Sequence, residues 1–202
     1  VDTEYFMPPP LADKREDFFL AVSQLVPYKR LDLAIEAFNR NGRRLVVIGE
    51  GPERSKLERR ARPNIRFLGA QPRAALRNAM QRARALVFPG EEDFGIVMAE
   101  SQACGTPVIA FQSGGASEIV TDSTTGILLA QQTAASLEEG LERFDAERFD
   151  PAAIRESALR FSRERFMREF TGFLERVVSP GRVVQTQRVE SGQEVLAADS
   201  AL

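Results

Sequence analysis

Residues 85–111 read ALVFPGEEDFGIVMAESQACGTPVIAF, and the order of residue types in this stretch decides the fold. An apolar run at residues 85–89 is typical of a buried strand, and a second run follows at residues 107–111. Between them a helix is predicted to begin after Gly95 and to end just before Gly105, because glycine is a common stop signal. A strand, a helix and another strand in this order indicate two parallel strands of one sheet.

The same alternation continues on both sides of this stretch. Further strands are predicted at residues 18–23, 44–49, 64–69 and 126–129. Further helices are predicted at residues 29–41, 53–61, 73–83, 116–120, 133–144, 151–161 and 163–178. The pattern predicts a doubly wound, Rossmann-like α/β fold, with a parallel sheet of about six strands and helices on both faces. Ligands of such folds bind at the carboxyl ends of the strands.

Composition divides the chain into three segments. Residues 1–17 include three consecutive prolines and are expected to form an interdomain segment that leads into the domain. Residues 18–178 hold all the predicted strands and helices and form the ligand-binding domain. Residues 179–202 are polar and lack sustained periodicity, so we expect a disordered tail.

Overall composition narrows the classes of function. A chain of 202 residues, 43% of them hydrophobic, supports one domain with a real core, and its net charge of −2 does not indicate a nucleic-acid partner. No apolar run approaches the roughly 20 residues that span a bilayer. Histidine is absent, so a Ser-His-Asp triad, a Cys-His dyad or a histidine metal site cannot be built from this chain alone.

Cys104 is the only cysteine, which excludes a disulfide within the chain. This usage predicts a reducing compartment and a cytoplasmic protein. The sequence shows no base next to Cys104, so we expect a small, buried helix residue rather than a nucleophile.

The helix that begins after Gly95 has carboxylates on both sides of its start. Its first amides, at Gly95, Ile96 and Val97, lack intrahelical partners and suit an anion such as a phosphate. Glu92 precedes the start, and Glu100, deeper in the helix, could accept two hydrogen bonds from a ribose diol. The alternatives are that Glu92 only stabilises the helix dipole and that Glu100 is solvated or pairs with an arginine.

Two further motifs lie at predicted strand ends. Residues 49–52, Gly-Glu-Gly-Pro, join a buried strand to a helix and can pass close to a phosphate, although any tight turn uses glycine. Lys29 and Arg30 follow the first strand and can neutralise a diphosphate, the alternative being two solvated surface cations. The sequence has neither a G-x-G-x-x-G fingerprint nor a Walker P-loop, which disfavours a nicotinamide-binding function.

Taken together, these motifs resemble the C-terminal, donor-binding domain of family 4 (group 1) retaining glycosyltransferases, which have the GT-B fold. The resemblance rests above all on Glu92-x7-Glu100 with Phe94-Gly95 and on the run ACGTPVIA at residues 103–110. Further motifs that support it lie at residues 25–38, 47–52, 64–69, 113–120 and 125–129. Each motif is modest, and their shared order is what makes the resemblance specific.

The resemblance implies a role for each matching position. Glu92 would contact the donor sugar near its reacting carbon, and Lys29 would stabilise the departing diphosphate, so these two are the candidate catalytic residues. Glu100 would hold the ribose hydroxyls, Arg30 would assist at the diphosphate, and backbone after the third strand would read the base. The other candidate donor-binding positions are Gln24, Gly49, Glu50, Gly51, Phe67, Leu68, Gly69, Phe94, Gly95, Ile96 and Val97.

Two departures from the family pattern affect the interpretation. Gln24 stands where the family usually has an arginine five residues before the phosphate lysine, so one cation for the diphosphate is missing unless Arg30 compensates. The family is built from two Rossmann-like domains, and this chain resembles only the second. The N-terminal, acceptor-binding domain is therefore an expected partner. We leave open that this domain attaches the protein peripherally to the inner membrane surface.

The predicted function is transfer of a glycosyl group from a UDP-, GDP- or ADP-linked sugar to an acceptor, with retention implied by the resemblance. Residues 23–30 are weakly similar to those of mannosyltransferases. The family generally needs no metal, so we expect no cofactor beyond the nucleotide sugar as substrate. Two alternatives stay open: a non-catalytic nucleotide-sugar-binding module, and a domain like that of the sugar-nucleotide epimerases. Without the second domain, the chain alone is expected to complete the transfer poorly.

Overall fold

A computed structural model describes residues 1–9 and 15–178. Its centre is a six-stranded sheet in which all the pairings are parallel. The strands are β1 (Phe19–Val22), β2 (Leu45–Ile48), β3 (Ile65–Gly69), β4 (Leu86–Phe88), β5 (Val108–Phe111) and β6 (Gly126–Leu129). They lie in the order β3-β2-β1-β4-β5-β6, so the direction in which the chain adds strands reverses between β1 and β4.

Helices cover both faces of the sheet. In the described residues they are α1 (Leu31–Asn41), α2 (Arg54–Arg60), α3 (Arg73–Arg82), α4 (Ile96–Ala103), α5 (Ala116–Ile119), α6 (Ala134–Ala146), α7 (Pro151–Leu159) and α8 (Arg163–Val178). Phe19 packs into the apolar cluster that includes α1 and α6, whereas Leu20 packs into the cluster that includes α3, α4 and α7. Adjacent residues of a strand point to opposite faces, so both must be apolar here. The predicted doubly wound fold is confirmed.

The connection between β1 and α1 differs from the prediction. The sequence pattern predicts a helix from residue 29, whereas the structure has a 3-10 helix at Pro27–Lys29 and begins α1 at Leu31. Arg30 separates the two with a left-handed φ of 51°, which interrupts regular helical geometry. Lys29 therefore lies in the loop at the carboxyl end of β1 instead of on the helix. The other predicted elements agree with the structure to within two residues.

The segment before β1 packs into the domain where the structure describes it. Phe6 is only 1% exposed and belongs to the apolar cluster shared with α3, α4 and α7. Arg155 of α7 donates hydrogen bonds to the carbonyls of Thr3, Phe6 and Ala103 at 3.1, 3.2 and 2.7 Å. The predicted interdomain segment thus contributes to the core of this domain.

Two compact units divide the chain, the first at Val1–Phe166 and the second beginning at Met167, within α8. The described part of the second unit is helical, and apolar side chains such as Phe173 and Val177 are exposed on it. The tail predicted at residues 179–202 lies outside the described residues. Among the helices that are described, none is both long and apolar enough to cross a membrane.

Candidate functional site

Loops that follow four neighbouring strands, β1 to β4, enclose a cavity of about 750 Å³ at the carboxyl edge of the sheet. It lies beside the point between β1 and β4 where the strand order reverses, which is where folds of this kind bind ligands. The cavity is lined by Val22, Ser23, Gln24, Tyr28, Lys29, Ile48, Gly49, Glu50, Ala70, Gln71, Leu76, Phe88, Glu92, Asp93, Phe94, Gly95, Ile96 and Val97.

Most of the predicted site residues lie together in this cavity. Both catalytic candidates, Lys29 and Glu92, line it, as do seven of the predicted donor-binding residues. Those seven are Gln24, Gly49, Glu50, Phe94, Gly95, Ile96 and Val97. The predicted residues that do not line the cavity are Arg30, Gly51, Phe67, Leu68, Gly69 and Glu100.

Lys29 and Glu92 form an ion pair across the cavity. Lys29 is 8% exposed, and its ammonium lies 4.9 Å from the ring centre of Tyr28 and 5.5 Å from that of Phe88. Burial lowers the pKa of Lys29, and the nearby Asp93 carboxylate partly opposes that effect. A buried cation with incomplete hydration is well suited to an incoming anion, because little water has to be removed from it.

Glycines let the loops approach each other without side chains between them. A Cβ atom on Gly49, whose φ is +143°, would collide with the carbonyl of Ser23, and one on Gly90 would lie 2.8 Å from the Cα atom of Lys29. Gly115 donates its N–H to the carbonyl of Glu92 at 2.8 Å. The loop after β4, which carries Glu92, is thus held between the loop after β1, which carries Lys29, and the turn after β5. Sequence reasoning missed Gly90, although a Pro-Gly pair at a strand end is a recognisable turn signal.

The start of α4 faces the cavity with free amides. Gly95 precedes the helix with φ +88°, and the first helical hydrogen bonds run from Met98 and Ala99 to its carbonyl. The N–H groups of Ile96 and Val97 come before these bonds, so they keep the capacity to bind an anion. This part of the predicted site has the geometry expected from the sequence.

Glu100 lies one turn deeper in α4 and is half-buried. Burial raises the pKa of its carboxyl group, while the charge of Arg73 acts in the opposite direction. In the described part of the chain its carboxylate accepts no hydrogen bond, and it does not line the cavity. The structure therefore places Glu100, the predicted partner of the ribose hydroxyls, on the helix that borders the cavity but not in the cavity lining.

Arg30 is held away from the main cavity by its own partners. Its guanidinium donates to both carboxylate oxygens of Asp32, at 3.1 and 3.2 Å, and to the side-chain oxygen of Gln132 at 3.3 Å. It lines a second cavity of about 470 Å³, which shares Glu92 with the first. In this conformation Arg30 does not bring its positive charge into the cavity that Gln24 lines.

The residues predicted to read the base lie a few positions before the part of this segment that borders the cavity. Phe67 and Leu68 stay in β3 and pack against the apolar clusters on either face, so the cavity wall begins only at Ala70 and Gln71. The Gln71 amide donates to the carbonyl of Leu68 at 2.7 Å, and the Glu50 carboxylate accepts the N–H of Ala70 at 3.3 Å. The loop after β3, and not its last strand residues, therefore borders the cavity.

Tyr28, Asp93 and Gln71 are among the cavity residues that were not found from the sequence. Tyr28 is 59% exposed beside Lys29, and an aromatic residue next to a lysine at a strand end is a signal that could have identified it. Asp93 and Gln71 carry no comparable signal, since polar residues are common in any loop. The described residues contain no cluster of three or more acidic, histidine or cysteine side chains that could hold a metal ion, and the expectation of a metal-free reaction stays a prediction.

Comparison with known proteins indicates a family. The model for glycosyl transferases group 1 matches residues 2–161. A D-inositol 3-phosphate glycosyltransferase from Frankia alni is 32% identical over 174 residues, covering 71% of this chain and 42% of the relative. A GDP-mannose-dependent monoacylated alpha-(1-6)-phosphatidylinositol monomannoside mannosyltransferase from Corynebacterium glutamicum is 35% identical over 133 residues, covering 58% of this chain and 35% of the relative. The chain thus spans less than half the length of these relatives.

Solved structures share the fold. Anabaena HepE, solved in complex with UDP and glucose, matches with a TM-score of 0.73 at 19% identity, covering 87% of this chain and 55% of that one. Sucrose-phosphate synthase from Thermosynechococcus elongatus also matches with a TM-score of 0.73, at 24% identity, covering 89% of this chain and 51% of that one. Both matches agree with the predicted Rossmann-like α/β architecture.

Proposed function

Because the chain belongs to the group 1 glycosyl transferases, we propose that it binds the nucleotide diphosphate-sugar donor of a glycosyl transfer in the cavity beside β1 and β4. One observation carries the proposal. A buried lysine, Lys29, and the free amides of Ile96 and Val97 border the same cavity of about 750 Å³. A lysine ammonium and free amides at a helix N-terminus are groups that commonly bind the phosphates of a ligand.

Each part of the donor has a suitable partner at this edge of the sheet. The diphosphate binds Lys29 and the α4 amides, and the sugar extends toward Glu92, where a carboxylate can accept hydroxyl hydrogen bonds. The base lies along the loop at Ala70 and Gln71. Glu100 takes the ribose hydroxyls, which requires a change of side-chain rotamer toward the cavity.

The proposed reaction breaks the bond between the anomeric carbon and the β-phosphate oxygen, and the bonding electrons leave with the diphosphate. An acceptor hydroxyl oxygen forms the new bond to that carbon and passes its proton to an oxygen of the departing diphosphate. Lys29 and the α4 amides stabilise the negative charge that develops on the leaving diphosphate. Retention of configuration and a metal-free mechanism are part of the proposal through the family resemblance.

The class of donor nucleotide and the way in which the acceptor is bound are also part of the proposal. The relative from Corynebacterium glutamicum is named for GDP-mannose, and HepE was solved with UDP and glucose. A hexose linked to GDP or UDP is therefore the donor class to test first, with ADP-sugars as the third candidate. Because this chain matches only 42% and 35% of two longer relatives, we propose that acceptor binding depends on a second domain and that this chain alone transfers poorly.

Calorimetric titration of the chain with UDP-, GDP- and ADP-sugars tests the proposal. Binding is expected for at least one of the three, and replacing Lys29 with glutamine should weaken it by about 10- to 100-fold, the range for loss of a charge-assisted contact. Lys56, which is exposed on α2 and pairs with Glu53, provides the matched control Lys56→Gln. Absence of binding to all three at millimolar concentration would reject the proposal.

A non-catalytic nucleotide-sugar-binding module is the second candidate. It is favoured by Gln24 in place of the usual arginine and by the engagement of Arg30 with Asp32. Both features reduce the positive charge available to a leaving diphosphate. Release of free sugar from the bound donor by this chain, with or without a supplied acceptor domain, would decide against the module.

A further inference from the structure

Gln132 links the two loops that carry Lys29 and Glu92. Its amide nitrogen donates to the carbonyl of Pro89 at 3.1 Å, at the start of the Glu92 loop. Its amide oxygen accepts from the guanidinium of Arg30 at 3.3 Å, in the residue directly after Lys29. One side chain from the loop between β6 and α6 therefore holds both loops at once.

The anchor of Gln132 is itself well fixed. Thr133, the next residue, caps α6 by accepting the N–H of Ser136 at 3.1 Å. The amide of Gln132 is partly buried, whereas the side chain of Gln131 beside it is exposed. The position of Gln132 is thus set by α6 and β6, outside the cavity that the donor would occupy.

Arg30 needs such support because of its backbone. Its φ of 51° is left-handed, a conformation that residues with a Cβ atom adopt only when their surroundings hold them there. Asp32 and Gln132 hold the guanidinium from two sides. Gly90 packs directly on the backbone of Lys29, so the two residues that Gln132 bonds, Arg30 and Pro89, each lie next to the contact between the two loops.

We propose that Gln132 is a positioning residue that fixes Lys29 relative to Glu92 and thereby sets the affinity of the site for the diphosphate of a donor. The part concerning affinity rests on the proposed function, and the part concerning position does not. Gln132 acts through Arg30 and Pro89 and does not line the main cavity with Lys29.

The position of Lys29 can be followed without any ligand. The chain has three lysines, Lys14, Lys29 and Lys56, so labelling lysine with ¹³C at Cε gives three side-chain signals, and Lys29→Arg identifies the one of interest. In Gln132→Met, which keeps the length of the side chain and removes both hydrogen bonds, we expect the Lys29 signal to shift and its pKa to move up toward the ordinary value as the ammonium gains water. The carboxylates next to Lys29 are those of Glu92 and Asp93, and the guanidinium of Arg30, the next residue, is held by Asp32 and Gln132.

Nucleotide affinity provides the second readout. Gln132→Met should weaken binding of the nucleoside diphosphate by about 10-fold while changing the affinity for the matching monophosphate much less, because only the diphosphate reaches Lys29. A merely structural role would lower both affinities together. Gln132→Glu, which keeps the acceptor for Arg30 and loses the donor to Pro89, should give an intermediate effect, and it serves as the second variant if Gln132→Met does not fold.

Gln131→Met is the matched control, since it makes the same change one residue earlier on an exposed side chain. Unchanged Lys29 signals and unchanged diphosphate affinity in both Gln132 variants would overturn the inference, and so would equal effects in Gln131→Met. If the wild-type chain binds no nucleotide while the Lys29 signal still moves in Gln132→Met, the proposed function fails and the positioning role of Gln132 stands.

Discussion

The ammonium of Lys29 is paired with the carboxylate of Glu92, across the gap between the loops after β1 and β4. Lys29 is buried, whereas the side chain of Glu92 keeps 30% of its surface exposed. In the free protein, the cation that is proposed to bind the diphosphate is thus already neutralised. In the proposed function, a diphosphate that binds Lys29 must compete with Glu92, and the exchange frees the Glu92 carboxylate to contact the sugar.

Replacing Glu92 with glutamine should strengthen the binding of a free nucleoside diphosphate. The competing charge is removed, and since Glu92 is partly exposed the gain should be about 2- to 5-fold, the range for a solvated ion pair. Turnover of the donor sugar should fall in the same variant, because the carboxylate that is proposed to contact the sugar is lost. Calorimetry with the diphosphate and an assay of released sugar measure the two effects.

Glu91→Gln is the control for that experiment. Glu91 is the exposed neighbour of Glu92, and its carboxylate accepts a hydrogen bond from Ser113 at 2.8 Å instead of pairing with Lys29. The same loss of charge there should leave the diphosphate affinity close to that of the wild type. Weaker diphosphate binding in Glu92→Gln would show that the ion pair does not compete with the ligand.

Gly90 should not tolerate a side chain. A Cβ atom there would lie 2.8 Å from both the Cα atom and the carbonyl oxygen of Lys29, and backbone cannot move aside as a flexible side chain can. Gly90→Ala should lower the free energy of unfolding by about 1–3 kcal/mol and should also weaken diphosphate binding. Gly42→Ala, where φ is +72° and nothing lies within 4 Å, should destabilise by about 1 kcal/mol without affecting binding. Chemical denaturation and calorimetry compare the two variants.

Most of the fold could be predicted because the signals for its strands are local. Leu45–Ile48 is a run of apolar residues between Arg44 and Gly49, and such a run needs no distant contact to be recognised as a buried strand. The turn at Lys29 could not be predicted in this way. Arg30 keeps its left-handed backbone with the help of Gln132, which lies 102 residues later in the chain.

The candidate site, like the fold, could be predicted where its signals are local in the sequence. Gly95 at a helix start and Lys29 after a strand indicate an anion site from local sequence, and both border the cavity. The side-chain direction of Glu100 depends on tertiary neighbours, among them Arg73, whose charge acts on its pKa. No local pattern encodes that relationship, so the sequence could place Glu100 on the right helix but not toward the cavity.

Cys104 should react slowly with thiol reagents in the folded chain. It follows α4 and is fully buried, which confirms the prediction of a buried residue, and burial raises the pKa of its thiol from 9.0 to about 12. At pH 8 this shift alone lowers the thiolate fraction by about 1000-fold. The rate of alkylation by iodoacetamide, compared in buffer and in urea that unfolds the chain, measures the effect. Similar rates in both solutions would contradict it.

Glu100→Gln should stabilise the free protein at neutral pH. Burial raises the pKa of Glu100 above its ordinary value of 4.5, so the folded state holds this proton more tightly than the unfolded state does. The group's contribution to stability is greatest below pH 4.5 and is lost as the pH rises through the raised folded pKa. The variant has no such loss, so its melting temperature should exceed that of the wild type at pH 7, and the difference should shrink as the pH falls toward 4.

The same substitution should weaken binding if Glu100 holds the ribose. A neutral amide is a poorer acceptor for two hydroxyl groups than a carboxylate, so the affinity for a nucleoside diphosphate should fall while the free protein becomes more stable. Glu118→Gln, on an exposed position of α5, is the control and should change neither the melting temperature nor the affinity. A stabilised variant with wild-type affinity would remove Glu100 from the binding site and leave it as a buried acid that the domain tolerates. Opposite changes in stability and affinity are the signature of a side chain retained for its ligand.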